Sequence, residues 1–145
     1  MIAERVFTLA ELEALLPELS RLVEQQLLLQ SEIEKLLADL WLNRTDTPLT
    51  TRVEPSDPPK VLLLKRQVSA CITRYERGWL RVAELGCTVG DPCVGMVYFY
   101  GLVGGRLVAL SWCYGETTVR SCRDSAVGFA EPRPRWKCWL GARAN

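Results

Sequence analysis

Between Leu9 and Leu42, apolar side chains recur in three adjacent rows, and a compact fold has to take those rows out of water. Leu9, Leu16, Val23, Gln30 and Leu37 make one heptad row, and Leu12, Leu19, Gln26, Ile33 and Leu40 make the next. Leu15, Leu22, Leu29 and Leu36 add a third, which widens the stripe beyond a narrow two-stranded seam. Each leucine buried along such a stripe contributes about 1.5–3 kcal/mol, so the helix needs at least one packing partner. Its start is written locally. Thr8 and Glu11 have capping-box spacing, and Phe7 and Leu12 are placed for the accompanying hydrophobic staple. Pro17 removes one backbone donor and predicts a kink near Glu13. Gln26 and Gln30 sit inside the stripe, where polar residues set register.

Residues 1–42 therefore read as a long N-terminal helix. Residues 43–59 read as a flexible linker, because Pro48, Pro55, Pro58 and Pro59 stand among threonines, serine and charges. Residues 60–86 read as a second helix. Val61, Leu64, Val68, Cys71, Tyr75, Val82 and Leu85 recur at three- and four-residue spacing, Gly78 is a weak point, and Gly86 is placed as a C-cap. Residues 1–42 hold eight acids and three bases, and residues 43–145 hold nine and fifteen. Lys65, Arg66, Arg74, Arg77 and Arg81 are expected to face the acids of the first helix in an antiparallel hairpin.

Val94 to Tyr114 is apolar enough to raise the question of a membrane span. Gly95, Gly101, Gly104, Gly105 and Arg106 interrupt it, and valine and aromatic residues fill the rest. These features predict two strands joined at Gly104-Gly105, whereas a span needs some 20 uninterrupted apolar residues. A tight turn at Gly115-Glu116 leads to a third strand near Thr117–Arg123, completing a β-meander within residues 87–131. The expected fold class is α+β: a long antiparallel helical hairpin with a small three-stranded antiparallel meander.

The chain contains no histidine, which rules out a Ser-His-Asp triad, a Cys-His pair and any histidine metal ligand within it. The six cysteines include no C-x-x-C pair, so neither a zinc site nor any other metal or cofactor is expected. Met1–Val6 shows no basic segment leading into an apolar core, so the expectation is a cytoplasmic protein with reduced thiols and no membrane association. Leu110 to Asp124 mixes aromatic, thiol and charged residues most densely. Glu116 and Asp124 lie at opposite ends of the expected strand, and Arg120 and Arg123, three apart, point to opposite faces. Paired general acid–base work needs two groups converging on one atom, so no catalytic residue is assigned. The tail 132–145 carries Arg133, Arg135, Trp136, Lys137 and Trp139, a mixture that suits single-stranded nucleic acid as well as simple docking on its own domain.

The order of these segments resembles a bacterial family catalogued as domain of unknown function 2203. The likeness rests on Phe7-Thr8-Leu9, Leu15-Leu16-Pro17-Glu18-Leu19, Glu84-Leu85-Gly86, Asp91, Gly95 and Phe99. It continues through Trp112, Gly115-Glu116, Arg120, Asp124 and Gly128-Phe129. The resemblance implies an architecture and brings no established activity. It also implies a tryptophan-histidine pair where this chain has Cys122-Arg123, an aspartate near Ala126 and another at Tyr98. This chain keeps the small and aromatic residues of the pattern and lacks that polar set.

Three functions follow, in order of preference. The first is a non-enzymatic interaction or regulatory module that self-associates or docks a protein partner through its helices. The second is a small-molecule or anion-binding domain, or a weak enzyme, at the sheet–helix junction with Trp112, Glu116, Arg120, Arg123 and Asp124. The third is nucleic-acid association through the basic tail.

Overall fold

The computed structural model describes residues 5–43 and 50–121. The elements run β1 (Val6–Thr8), α1 (Leu9–Asn43), α2 (Pro59–Glu84), β2 (Thr88–Asp91), β3 (Met96–Val103), β4 (Arg106–Cys113) and β5 (Arg120–Ser121). The expected tail, together with Cys122, Arg123, Asp124 and Ala126, lies outside the described residues.

The capping box forms as its spacing predicts. The Thr8 N–H donates to Glu11 Oε1 at 2.9 Å, and the Glu11 N–H donates to Thr8 Oγ1 at 3.2 Å. Two of the backbone donors that a helix start leaves open are satisfied in this way. From there α1 runs 35 residues as one helix that includes Pro17, for about 52 Å. α2 begins with Pro59 in its first turn, where a missing N–H costs nothing. It ends in a turn in which the Gly86 N–H donates to the Ala83 carbonyl, with Gly86 at φ 104°.

The leucine stripe is divided between two covers. Its N-terminal half, Leu12, Leu16, Leu19, Leu22 and Val23, packs with Phe7, Val82 and the sheet residues Val97, Phe99, Leu110 and Trp112. Its C-terminal half, Ile33, Leu37 and Leu40, packs with Val61, Leu64, Val68 and Tyr75 of α2. The end of α1 thus meets the start of α2, and the hairpin is antiparallel. Most of the stripe is consumed within one chain, so its width does not itself demand a second copy.

The hairpin lacks the expected charge pairing. Among the described residues no ion pair joins α1 to α2. Glu11, Glu13, Glu18, Glu24, Glu32 and Asp39 lie on the exposed side of α1. Lys65 turns instead to the segment before its own helix. Its Nζ donates to Asp57 Oδ2 at 2.9 Å and to the Arg52 carbonyl at 2.7 Å, and the Lys65 and Asp57 side chains are 4% and 1% exposed. Asp57 also accepts from the Glu54 N–H. Residues 50–58, within the stretch that composition reads as a flexible linker, therefore form a turn anchored on α2.

The sheet is larger than the expected meander and of mixed sense. β3 and β4 pair antiparallel from Met96↔Cys113 to Val103↔Arg106, and β5 adds a short antiparallel pair to β4. The two-residue turn between β3 and β4 puts Gly104 at φ 59° and Gly105 at φ 76°, the left-handed geometry that matches strand twist. Two further strands occupy the other edge of β3. β2 pairs antiparallel with its first half, and β1 pairs parallel with its second, Val6 opposite Tyr100. The parallel pairing corrects the all-antiparallel expectation. Phe7, read as a helix staple, is also a strand residue whose ring meets Phe99 edge-on at 5.4 Å. Among the described residues no helix is long and apolar enough to cross a membrane, and Val94–Tyr114 contains the β3–β4 hairpin.

Candidate functional site

Trp112, Glu116 and Arg120 are brought together where β4 turns towards β5, against the first turns of α1. Trp112 alternates inward on β4 and is 1% exposed, and its Nε1–H donates to the Glu116 carbonyl at 2.9 Å. The chain reverses at Tyr114-Gly115, where the Glu116 N–H donates to the Cys113 carbonyl. That turn folds the Glu116 side chain back, so its Oε1 accepts from the Cys113 N–H at 2.7 Å and its Oε2 pairs with Arg120. Both carboxylate oxygens have partners, and the arginine, 76% exposed, serves the turn. The Cys113 thiol donates to the Val94 carbonyl. Burial, and then the Glu116 carboxylate, push its pKa up, outweighing the opposite pull of Arg120. A raised pKa works against thiolate formation, so the neighbouring arginine does not activate this cysteine.

A cleft of about 460 Å³ opens beside this turn. Glu13, Leu16, Pro17 and Ser20 of α1 form one wall, and Trp112, Glu116 and Thr117 the other. Because Pro17 has no N–H, the Glu13 carbonyl on this wall loses its helical donor. With Glu116 already paired and no basic side chain among the described residues lining it, the cleft offers an anion no cationic partner. The junction therefore brings together three of the five expected site residues in a geometry that locks a turn.

A second cleft, of about 480 Å³, lies between the helices and was not anticipated. Arg74, Arg77 and Arg81 of α2 form its basic wall around Gly78. Gln25, Leu28 and Leu29 of α1 face them, with Gln26 at the floor. Gln26 is 2% exposed, and its Nε2 donates to the Tyr75 carbonyl at 2.6 Å. The next polar residue of the stripe, Gln30, reaches the Cys93 carbonyl and accepts from the Tyr75 hydroxyl. The signal for this cleft was present in the sequence as three arginines at i, i+3 and i+7, which share one helix face. It was missed because those arginines were assigned to the acids of α1.

Among the described residues no group of three or more cysteine, aspartate or glutamate side chains is placed to hold a metal ion. Some of the residues on which the family resemblance rests meet in the core, whereas Thr8, Pro17, Glu18 and Arg120 are exposed. Phe7, Phe99 and Trp112 belong to one cluster with Leu16 and Leu19, and Gly86 lies against the Phe7 ring. That part of the pattern records how the sheet seats on α1. No curated protein and no solved structure matches the chain. The family model described as "Uncharacterized conserved protein (DUF2203)" matches residues 5–135, and the chain belongs to that family.

Proposed function

We propose that the protein is a non-enzymatic interaction module of the cytoplasm, which docks a protein partner, in the simplest case a second copy, through the far end of its helical hairpin. The observation that carries this reading is an apolar surface left over after the core is built. Leu42 at the end of α1 and Leu63 near the start of α2 are 79% and 57% exposed. These side chains stand at the same end of an antiparallel pair, beyond the reach of the sheet. Contiguous apolar surface marks contact sites on soluble proteins, and exposed leucines at one end of a hairpin can supply it. Cys71, Cys87 and Cys113 carry free thiols, and the core position of Cys87 suits a reducing compartment.

The alternative at the sheet–helix junction has less support, since Glu116 and Arg120 are occupied with each other and no basic side chain among the described residues lines the adjoining cleft. Sedimentation velocity from 1 to 100 µM (about two decades around typical affinities) tests the preferred reading. The wild-type chain is expected to show a concentration-dependent dimer, and Leu42→Glu with Leu63→Glu to remain monomeric with an unchanged circular dichroism spectrum. A wild-type monomer at every concentration removes self-association, and an unchanged dimer in the double variant moves the contact elsewhere.

A further inference from the structure

We propose that the cleft between α1 and α2 binds a small phosphorylated ligand, a di- or triphosphate group carried on an apolar or aromatic moiety. Arg74, Arg77 and Arg81 rise about 10 Å along one face of α2. Among the described residues none of the three takes part in an ion pair, and Glu84, one turn beyond Arg81, makes none with it. Among the described residues no carboxylate lines the cleft. Like charges at three- and four-residue spacing repel, so the helix carries an uncompensated cost that an anion would relieve. Guanidinium groups grip phosphate oxygens through paired N–H donors, which lysines at the same places would not do.

The shape narrows the ligand further. Gly78 lies between the arginines and lets the Gln26 amide form the floor: a Cβ there would stand 1.7 Å from Gln26 Oε1. The buried Gln26 amide is held by the Tyr75 carbonyl, so the floor is fixed before any ligand arrives. Across from the cations, Gln25 offers an amide, and Leu28, 65% exposed, offers an apolar surface. A volume of about 480 Å³ falls within the range of small-molecule sites, which span roughly 300–1,000 Å³. A single phosphate would engage one or two of the arginines, whereas a chain of two or three phosphates spans all of them. The leucine wall then receives the organic part. A nucleic-acid strand is less well served, because the basic wall is only two helical turns long and the whole chain has a net charge of +1.

Isothermal titration of the full chain in EDTA, with inorganic triphosphate and with ATP as probes, tests the proposal. Both probes are expected to bind, ATP more tightly, with the margin between them lost in Leu28→Ala. Arg77→Gln should weaken ATP about tenfold, in keeping with the loss of one charge-assisted pair. The triple variant Arg74→Gln, Arg77→Gln, Arg81→Gln should abolish binding while keeping the wild-type melting temperature or exceeding it. Arg66→Gln, outside the cleft, should change nothing. Silence from both probes at millimolar concentration overturns the proposal, as does ATP binding that survives the triple variant. If a 20-nucleotide RNA binds through the same arginines and triphosphate does not, the cleft is a nucleic-acid site and the proposal is likewise overturned.

Discussion

Replacing Gly78 by alanine should destabilise the protein, although alanine is the better helix former. In an exposed helix the exchange is worth about 1 kcal/mol in favour of alanine. Here the new Cβ would lie 1.7 Å from Gln26 Oε1 and 2.4 Å from its Cδ, so the Gln26 amide has to move. Moving it breaks the 2.6 Å bond from Nε2 to the Tyr75 carbonyl. Losing that bond costs about 0.5–1.5 kcal/mol. Overpacking at a buried contact adds roughly 1–3 kcal/mol. Against the helical gain, the net loss is about 0.5–3.5 kcal/mol. For a chain near 150 residues this is a fall in melting temperature of about 2–4 °C per kcal/mol. With Gln26→Ala as background the obstruction is gone, and Gly78→Ala should then stabilise by about 0.5–1 kcal/mol. Urea denaturation of the four proteins measures the cycle, and the decisive result is the change of sign. If Gly78→Ala stabilises the wild-type chain, or if the two substitutions add without coupling, the close approach of the helices at Gly78 is wrong.

Two further outcomes rest on ionisable groups in the fold. The Glu54 N–H first, and the Lys65 ammonium second, hold the Asp57 carboxyl below its ordinary value of 3.8. A depressed folded-state pKa stabilises fully above the unfolded value, and that stability is lost as pH falls through the folded one. Thermal melts from pH 6 to pH 2 should therefore show Asp57→Asn melting below the wild type at pH 6 and losing less on acidification. Parallel curves would mean that the carboxylate contributes nothing. Burial pushes the Cys87 thiol up to about 12, and its Sγ–H donates to the Val82 carbonyl at 3.1 Å. Iodoacetamide at pH 7.5, followed by peptide mass spectrometry, should label Cys87 in the folded chain at least about a hundredfold more slowly than in urea, since only the thiolate reacts. Equal rates would show that Cys87 is not in the core.

What could be read in advance was local. Thr8 and Glu11 are three residues apart, and Gly104-Gly105 is a two-residue turn. Each declares its geometry without reference to anything distant. The parallel strand β1 declares nothing, because three residues cannot display an alternation and the partner Tyr100 lies far along the chain. Asp57 was hidden by its prolines. A segment with the composition of a linker became a fixed turn because Lys65, eight residues on, took its carboxylate out of water. At the junction, Trp112, Glu116 and Arg120 lie near one another, and their pairing follows from a chain reversal at Tyr114-Gly115, one residue earlier than expected. The interhelical cleft stayed illegible for a different reason. Helical spacing puts Arg74, Arg77 and Arg81 on one face, yet only the rotation of α2 about its axis decides whether that face meets glutamates or glutamines.

The pairing of Val6 with Tyr100 also sets the order in which a nascent chain can finish folding. At ribosomal speeds of about 5–20 residues per second, some 5–20 s pass between the synthesis of these two positions. The sheet's opening strand therefore waits, with the leucines behind it, for a cover that is translated late. Such long-range closure slows folding and leaves sticky intermediates. The nascent chain should accordingly engage a holding chaperone from the emergence of α1 until the β3–β4 hairpin clears the exit tunnel.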